Sequence, residues 1–115
     1  MPYLNVSTNA EISPEATQLF LNEASRAVAV GTGKPEQYVM VKLETAQPML
    51  FAGSNEPAAF VELKSIGYPA DGMAGLANAL CSVVMHRLGV SGARTFIVFE
   101  DVKATAWAVN GELVG

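Results

Sequence analysis

The second residue of the chain is a proline, and its position matters more than its type. Cellular aminopeptidases remove an initiator methionine when the following residue is small, so a mature chain beginning at Pro2 is expected. Its secondary amine would be a base on a rigid ring, directly ahead of a strand-like run over residues 3–8 that would hold it still. A free α-amine titrates at about 7.7 to 8.0. Burial in an apolar cleft, or a lysine close by, lowers that value towards neutrality, where a general base works best. A Met-Pro start is also an ordinary start, so such a base needs neighbours. An enolate needs stabilisation and a substrate carboxylate needs a cation. Lys34, Lys64 and a backbone N–H near Ile66-Gly67 are the candidates. Taken alone, each lysine reads first as a solvated side chain, Lys34 in a turn and Lys64 on a strand.

The other familiar constellations are absent. Gly31-Thr32-Gly33-Lys34 resembles a fragment of a phosphate loop, but G-x-x-x-x-G-K-[ST] is not met and Pro35 follows, so a helix-terminating turn is expected. His86, beside Arg87 late in a helix, reads as a charge favourable to the helix end. Cys81 falls in an apolar helical stripe and reads as a core residue. As the only cysteine it excludes an intrachain disulfide and a multi-cysteine zinc site. Asp71, Glu100 and Asp101 stand near turns without histidine partners for a metal. No cofactor and no metal are therefore expected. Seven scattered Lys and Arg against eleven Asp and Glu, a formal charge of -4, argue against nucleic acid as partner. No run approaches the roughly 18 apolar residues of a membrane span. No basic region followed by an apolar one marks a secretion signal, so a cytoplasmic location is expected, with leaderless export as the alternative.

One domain over residues 1–115 fits the length. Only 16% of its residues are charged, against roughly 25% in an average soluble domain. A small chain has much surface to cover. One so lightly charged is expected to cover part of that surface with copies of itself.

The elements that must position Pro2 follow from periodicity. Residues 3–8 alternate as a strand. Ser13-Pro14 opens a helix as N-cap and first helical residue. Ala16, Leu19, Phe20, Ala24, Ala27 and Val28 give its apolar stripe, interrupted by Glu23, and Gly31 and Gly33 are expected to end it. Residues 38–43 form a second strand. The pattern then repeats: a strand over 59–66, a turn, and a helix whose stripe is Met73, Leu76, Ala77, Leu80, Cys81, Val84, Met85 and Leu88. Gly89 closes it, and a strand follows over 95–99. Residues 48–51 and 106–109 are short extra segments. The fold class is therefore α/β: two β-α-β units forming a four-stranded sheet with two helices on one face. Tyr38, Met40, Lys42, Phe60, Glu62 and Lys64 share one parity, and Val39, Val41, Leu43, Val61 and Leu63 the other. Such a sandwich leaves one sheet face uncovered, a second indication of self-association.

Several motifs, in this order and spacing, carry a resemblance: M-P at the start, T-N at Thr8-Asn9, and G-K-P-x-x-Y-V-M-V at 33–41. They continue with F-x-G-S-x-E-P at 51–57, S-I-G at 65–67, and R-x-F-I-x-F-x-D at 94–101. The chain resembles members of the macrophage migration inhibitory factor family, within the tautomerase superfamily, over its whole length. It looks most like plant, protist or cyanobacterial members. The resemblance implies a homotrimer with active sites at subunit boundaries. It also implies cofactor-free interconversion of keto and enol forms of arylpyruvates such as phenylpyruvate, or of dopachrome-like compounds. Pro2 matches the catalytic proline. Lys34 matches the lysine that binds the substrate carboxylate or carbonyl, and Ile66 the residue whose backbone N–H contacts substrate. From the neighbouring subunit, Phe96 falls where vertebrate members carry a pocket tyrosine. Val98 falls where they carry an asparagine, Trp107 at an apolar wall position, and Val114 at the position of a near-terminal phenylalanine. The usual G-W-N reads Ala108-Val109-Asn110 here.

Losing the tyrosine hydroxyl and the asparagine makes the far side of the implied pocket apolar. Each lost hydrogen bond is worth about 0.5 to 3 kcal/mol. The C-x-x-C of some members is replaced by Ala58 and Val61, which excludes a thiol oxidoreductase role. The expected function is a cofactor-independent tautomerase acting on a small aromatic keto acid. The alternative is a cytokine-like protein that binds a cell-surface receptor and keeps residual activity.

Overall fold

Two parallel strand pairs, each bridged by a helix, meet back to back. A computed structural model describes residues 1–115. Strand β1 (Pro2–Thr8) is followed by helix α1 (Pro14–Thr32) and strand β2 (Met40–Glu44), and strand β3 (Ala59–Ser65) by helix α2 (Gly72–Val83) and strand β4 (Thr95–Asp101). The order across the sheet is β2-β1-β3-β4. β1 pairs with β2 and β3 with β4 in parallel, while β1 and β3 run antiparallel at the centre. Two β-α-β units in one four-stranded sheet are thus as the periodicity predicts.

Parity assigns the faces. Leu4, Val6, Val61 and Leu63 are buried against Phe20, Ala24 and Val28 of α1 and Leu76, Leu80 and Val84 from the α2 side. Tyr3, Asn5, Met40, Lys42, Phe60, Glu62, Lys64, Phe96 and Val98 stand on the opposite face, which no element of the chain covers. Ser13 caps α1 by accepting the Ala16 N–H, with Pro14 first in the helix. Glu23, the break in the α1 stripe, pairs with Arg87 and ties the two helices together.

Three expectations are corrected. Gly31 does not end α1. It lies inside the helix, where an added Cβ would stand 2.3 Å from the Leu76 side chain, so its role is close helix–helix approach; Gly33, with φ of 70°, is the true end. The α2 stripe is narrower than predicted. Leu76, Leu80, Val83, Val84 and Leu88 are buried, whereas Met73 and Met85 are exposed and Cys81 is half-buried outside the core. Positions at the border of a helical stripe fall on its flank when two partners, here sheet and α1, already fill the centre. The second strand begins at Met40, because residues 36–38 form a tight helical turn in which the Tyr38 N–H reaches the Pro35 carbonyl.

The chain ends in an unforeseen hairpin, strands β5 (Ala108–Val109) and β6 (Glu112–Leu113). Asn110 and Gly111 both take positive φ, 52° and 76°, as a two-residue hairpin turn requires. Asn-Gly is a hairpin signal readable in the sequence. Residues 48–51 form no strand; only an isolated bridge joins Phe51 and Ser54.

Candidate active site

The site is built where the first residues of β1 meet the end of β3. Pro2 stands opposite Ser65 in the antiparallel register, and the two side chains lie on the helix side of the sheet, both buried. The Ser65 hydroxyl has no hydrogen-bond partner. Beside Pro2 opens a cleft of about 700 Å³ whose walls include Met1, Tyr38, Met40, Trp107 and Val109. Trp107 reaches it from the same chain as Pro2, carried by the segment between β4 and the terminal hairpin. That segment is pinned by the Trp107 carbonyl, which accepts the Val114 N–H at 2.8 Å.

Lys34 follows the αL end of α1, its backbone N–H directed to the Thr32 hydroxyl at 3.4 Å. It makes no ion pair; Glu23–Arg87 is the only one in the chain. Burial, and then the positive charge of Lys34, hold the N-terminal ammonium of Met1 below its ordinary value of 8.0. The amine end of β1 and Lys34 are therefore electrostatic neighbours. Ile66 directly follows Ser65. The Gly67 N–H is committed to an Asp101 carboxylate oxygen at 3.0 Å, which leaves Ile66 as the donor of the two. Lys64 pairs with Tyr3 on the open face and, like Lys34 and Ile66, is not among the residues that wall the cleft.

Phe96 and Val98 are not brought to their own chain's Pro2. Pro2 is level with Ser65 and Ser65 with Asp101, so Phe96 lies five residues back along β4 and two strands across. At standard spacings that is about 17 Å along the strands and about 10 Å across them; for Val98 the figure along the strands is about 10 Å. Both side chains are exposed, 58% and 49%, on the open face at an unpaired sheet edge. Val114 is also exposed and lines no part of the cleft.

Sequence reasoning missed Tyr38, Met40 and Val109 as cleft residues. Tyr38 was assigned to a strand, although Pro35-Glu36-Gln37-Tyr38 is a turn-forming run that presents its ring at the mouth.

The far end of the sheet is closed by the remaining motifs. The Asn9 side chain donates to the carbonyls of Asn55 and Glu56 and accepts the Ala58 N–H. The Arg94 guanidinium donates to the carbonyls of Phe51, Ser54, Glu56 and Pro57 at 3.0–3.1 Å and lies 5.0 Å from the centre of the Phe51 ring. Phe51 in turn meets Phe96 edge to face at 4.9 Å.

Comparison with known proteins agrees with this fold. The macrophage migration inhibitory factor family model matches residues 1–115. A macrophage migration inhibitory factor homologue of Brugia malayi is 35% identical over 116 residues, all of both chains, and the mouse macrophage migration inhibitory factor is 35% identical over 96% of each. Among solved structures, a macrophage migration inhibitory factor homologue from Prochlorococcus marinus superimposes with a TM-score of 0.92 at 35% identity, covering 98% of this chain and 99% of the other. By sequence over its full length and by fold, this chain belongs to the macrophage migration inhibitory factor family.

Proposed function

We propose that the chain, once Met1 is removed, is a cofactor-independent keto–enol tautomerase acting on phenylpyruvate-like arylpyruvates, with the Pro2 amine as base. The carrying observation is the buried Pro2 beside an aromatic cleft, where burial first and the unpaired Lys34 second hold the adjoining Met1 ammonium below its ordinary value. While Met1 is attached, the Pro2 nitrogen is an amide and has no basic lone pair. Once exposed, its lone pair takes a proton from the carbon beside the substrate carbonyl. The C–H electron pair becomes the enolate double bond, charge moves to oxygen, and the prolinium returns the proton there. The same steps reversed convert enol to ketone. Lys34 receives the substrate carboxylate, the Ile66 N–H contacts its oxygen, and Trp107 packs the ring.

Assembly completes the site in this reading. The uncovered sheet face, the exposed Phe96 and Val98 and the unpaired β4 edge support association with further copies. Phe96 and Val98 then line the cleft of a neighbour in the homotrimer that the family resemblance implies. The Val98 side chain offers no hydrogen bond, so an apolar ring is favoured over a hydroxylated one.

The test is phenylpyruvate interconversion followed by absorbance, with the N-terminus fixed by intact mass. The chain beginning at Pro2 is expected to accelerate the reaction, and the chain retaining Met1 to do so hardly at all. Equal rates from the two forms would refute the Pro2 base.

A further inference from the structure

On the outer flank of α2, away from Pro2, lies a second open depression of about 490 Å³ walled by Asn78, Cys81, Ser82, Met85 and His86. It holds the chain's only thiol and only imidazole together with a thioether. The Cys81 Sγ and Met85 Sδ atoms are 3.8 Å apart. Both converge on the backbone of Gly92, whose missing Cβ would stand 3.0 Å from one sulfur and 3.1 Å from the other. The absent side chain lets the Gly92 backbone pack closely against one side of the sulfur pair. Core packing does not account for the pair, because Met85 is 50% exposed and neither residue belongs to the buried cluster.

The third donor lines the same depression. Cys81 and Met85 are four residues apart and share a helix face. Five residues apart in a regular helix, His86 would stand about 140° around the axis from Cys81. Residues 84–88 instead form a widened turn of π geometry. The widening begins only at Val84, so it turns His86 part of the way back, and His86 lines the same depression as Cys81 and Met85.

We propose that Cys81, Met85 and His86 form a binding site for a soft monovalent metal ion, copper(I). With metal–sulfur bonds of about 2.3 Å, two sulfurs 3.8 Å apart subtend roughly 110° at a shared ion, and the imidazole supplies the third ligand of a three-coordinate centre. Thiolate with thioether selects copper(I). Zinc would lack the fourth ligand of a closed site, since Asn78 and Ser82 are the only other polar side chains on the depression. The helix layer lies opposite the open sheet face, so self-association through that face leaves the site accessible.

Copper(I) presented anaerobically as its bicinchoninate complex tests this with the intact chain. Wild type is expected to withdraw one ion per chain, and Cys81→Ser none. Met85→Leu and His86→Gln change exposed side chains, so the fold persists, as circular dichroism will verify. Each is expected to weaken binding by at least the roughly ten-fold that loss of an outer-shell contact costs elsewhere. Copper-edge X-ray absorption is expected to show two sulfur neighbours and one nitrogen. Failure of wild type to compete with bicinchoninate overturns the site. Undiminished binding in both Met85→Leu and His86→Gln overturns it equally, because the metal would then rest on a thiol alone.

Discussion

The two ends of the central β1–β3 ladder are built to opposite rules. At the Thr8 end the side chains of Thr8, Asn9 and Arg94 all have partners. Thr8 donates its hydroxyl to the Ala58 carbonyl at 2.7 Å, Asn9 makes three hydrogen bonds to the 55–58 loop, and Arg94 gathers four carbonyls. At the Pro2 end the residue in register has a buried hydroxyl with no partner, the nearby lysine has no counter-ion, and an aromatic cleft stands open. Satisfied groups hold a fold; unsatisfied ones keep free energy for a ligand. The family motifs divide accordingly: T-N, F-x-G-S-x-E-P and Arg94 close one end, whereas M-P, G-K-P and S-I-G gather at the open end.

The comparison is broken most forcefully at Pro2. Pro2→Gly in the Met-free chain is expected to lower kcat/KM for phenylpyruvate by about 10²- to 10⁴-fold, the span of general-base catalysis. A change under three-fold would mean that the open end is not reactive. Lys34→Ala comes next, at about 10- to 100-fold in kcat/KM, since a charge-assisted hydrogen bond is worth about 1.5–3 kcal/mol. It carries a pH signature. The base works in its neutral form, so the rate rises with pH through the amine's pKa. Burial first and Lys34 second depress the Met1 ammonium, and the Pro2 amine that replaces it in the Met-free chain is expected to feel the same lysine. Removing the lysine's charge raises that pKa, and the ascending limb moves to higher pH. A limb that stays in place would separate Lys34 from the base.

At the closed end the expected loss is of stability. Asn9→Ala removes partners from one N–H and two carbonyls and is expected to cost about 2–3 kcal/mol in urea unfolding, with kcat per folded chain unchanged. A loss of activity without a loss of stability would erase the distinction between the ends.

How far this was legible in the sequence depends on the range of each signal. The alternation that put Leu4, Val6, Val61 and Leu63 inward is local, and the fold follows it. Ser13-Pro14 and Gly33 marked α1 because caps are local too. Gly31 misled because its reason lies 45 residues away in Leu76, and a close approach leaves no trace in the neighbouring residues. Pro2, Lys34, Ile66 and Trp107 were singled out in the sequence, but Tyr38, Met40 and Val109 of the cleft wall were not. Its Trp107 and Val109 come from a segment placed by the terminal hairpin, whose Asn110-Gly111 signal was present and unused. Phe96 and Val98 show the other limit: their register places them far from the Pro2 of their own chain, so the role proposed for them requires a second copy.

The smallest effects give the sharpest contrast, because one ladder holds a natural control. Thr8 and Ser65 are both fully buried hydroxyl residues at opposite ends of the β1–β3 pairing, Thr8 level with Ala59 and Ser65 with Pro2. Thr8→Val keeps shape but takes away the donor to Ala58 and the acceptor of the Ala10 N–H, so it is expected to destabilise by about 1 kcal/mol. Ser65→Ala removes a hydroxyl that is desolvated without compensation, so it is expected to stabilise by about 1 kcal/mol. For a chain of this size that is a melting-temperature rise of roughly 4 °C, measured at fixed chain concentration because any association shifts the transition. Opposite signs from two buried hydroxyls would mark the Pro2 end as the place where stability has been given up. A loss in both variants would mean that the Ser65 hydroxyl is held in the folded protein after all, and the two ends would then differ only in the chemistry of Pro2 and Lys34.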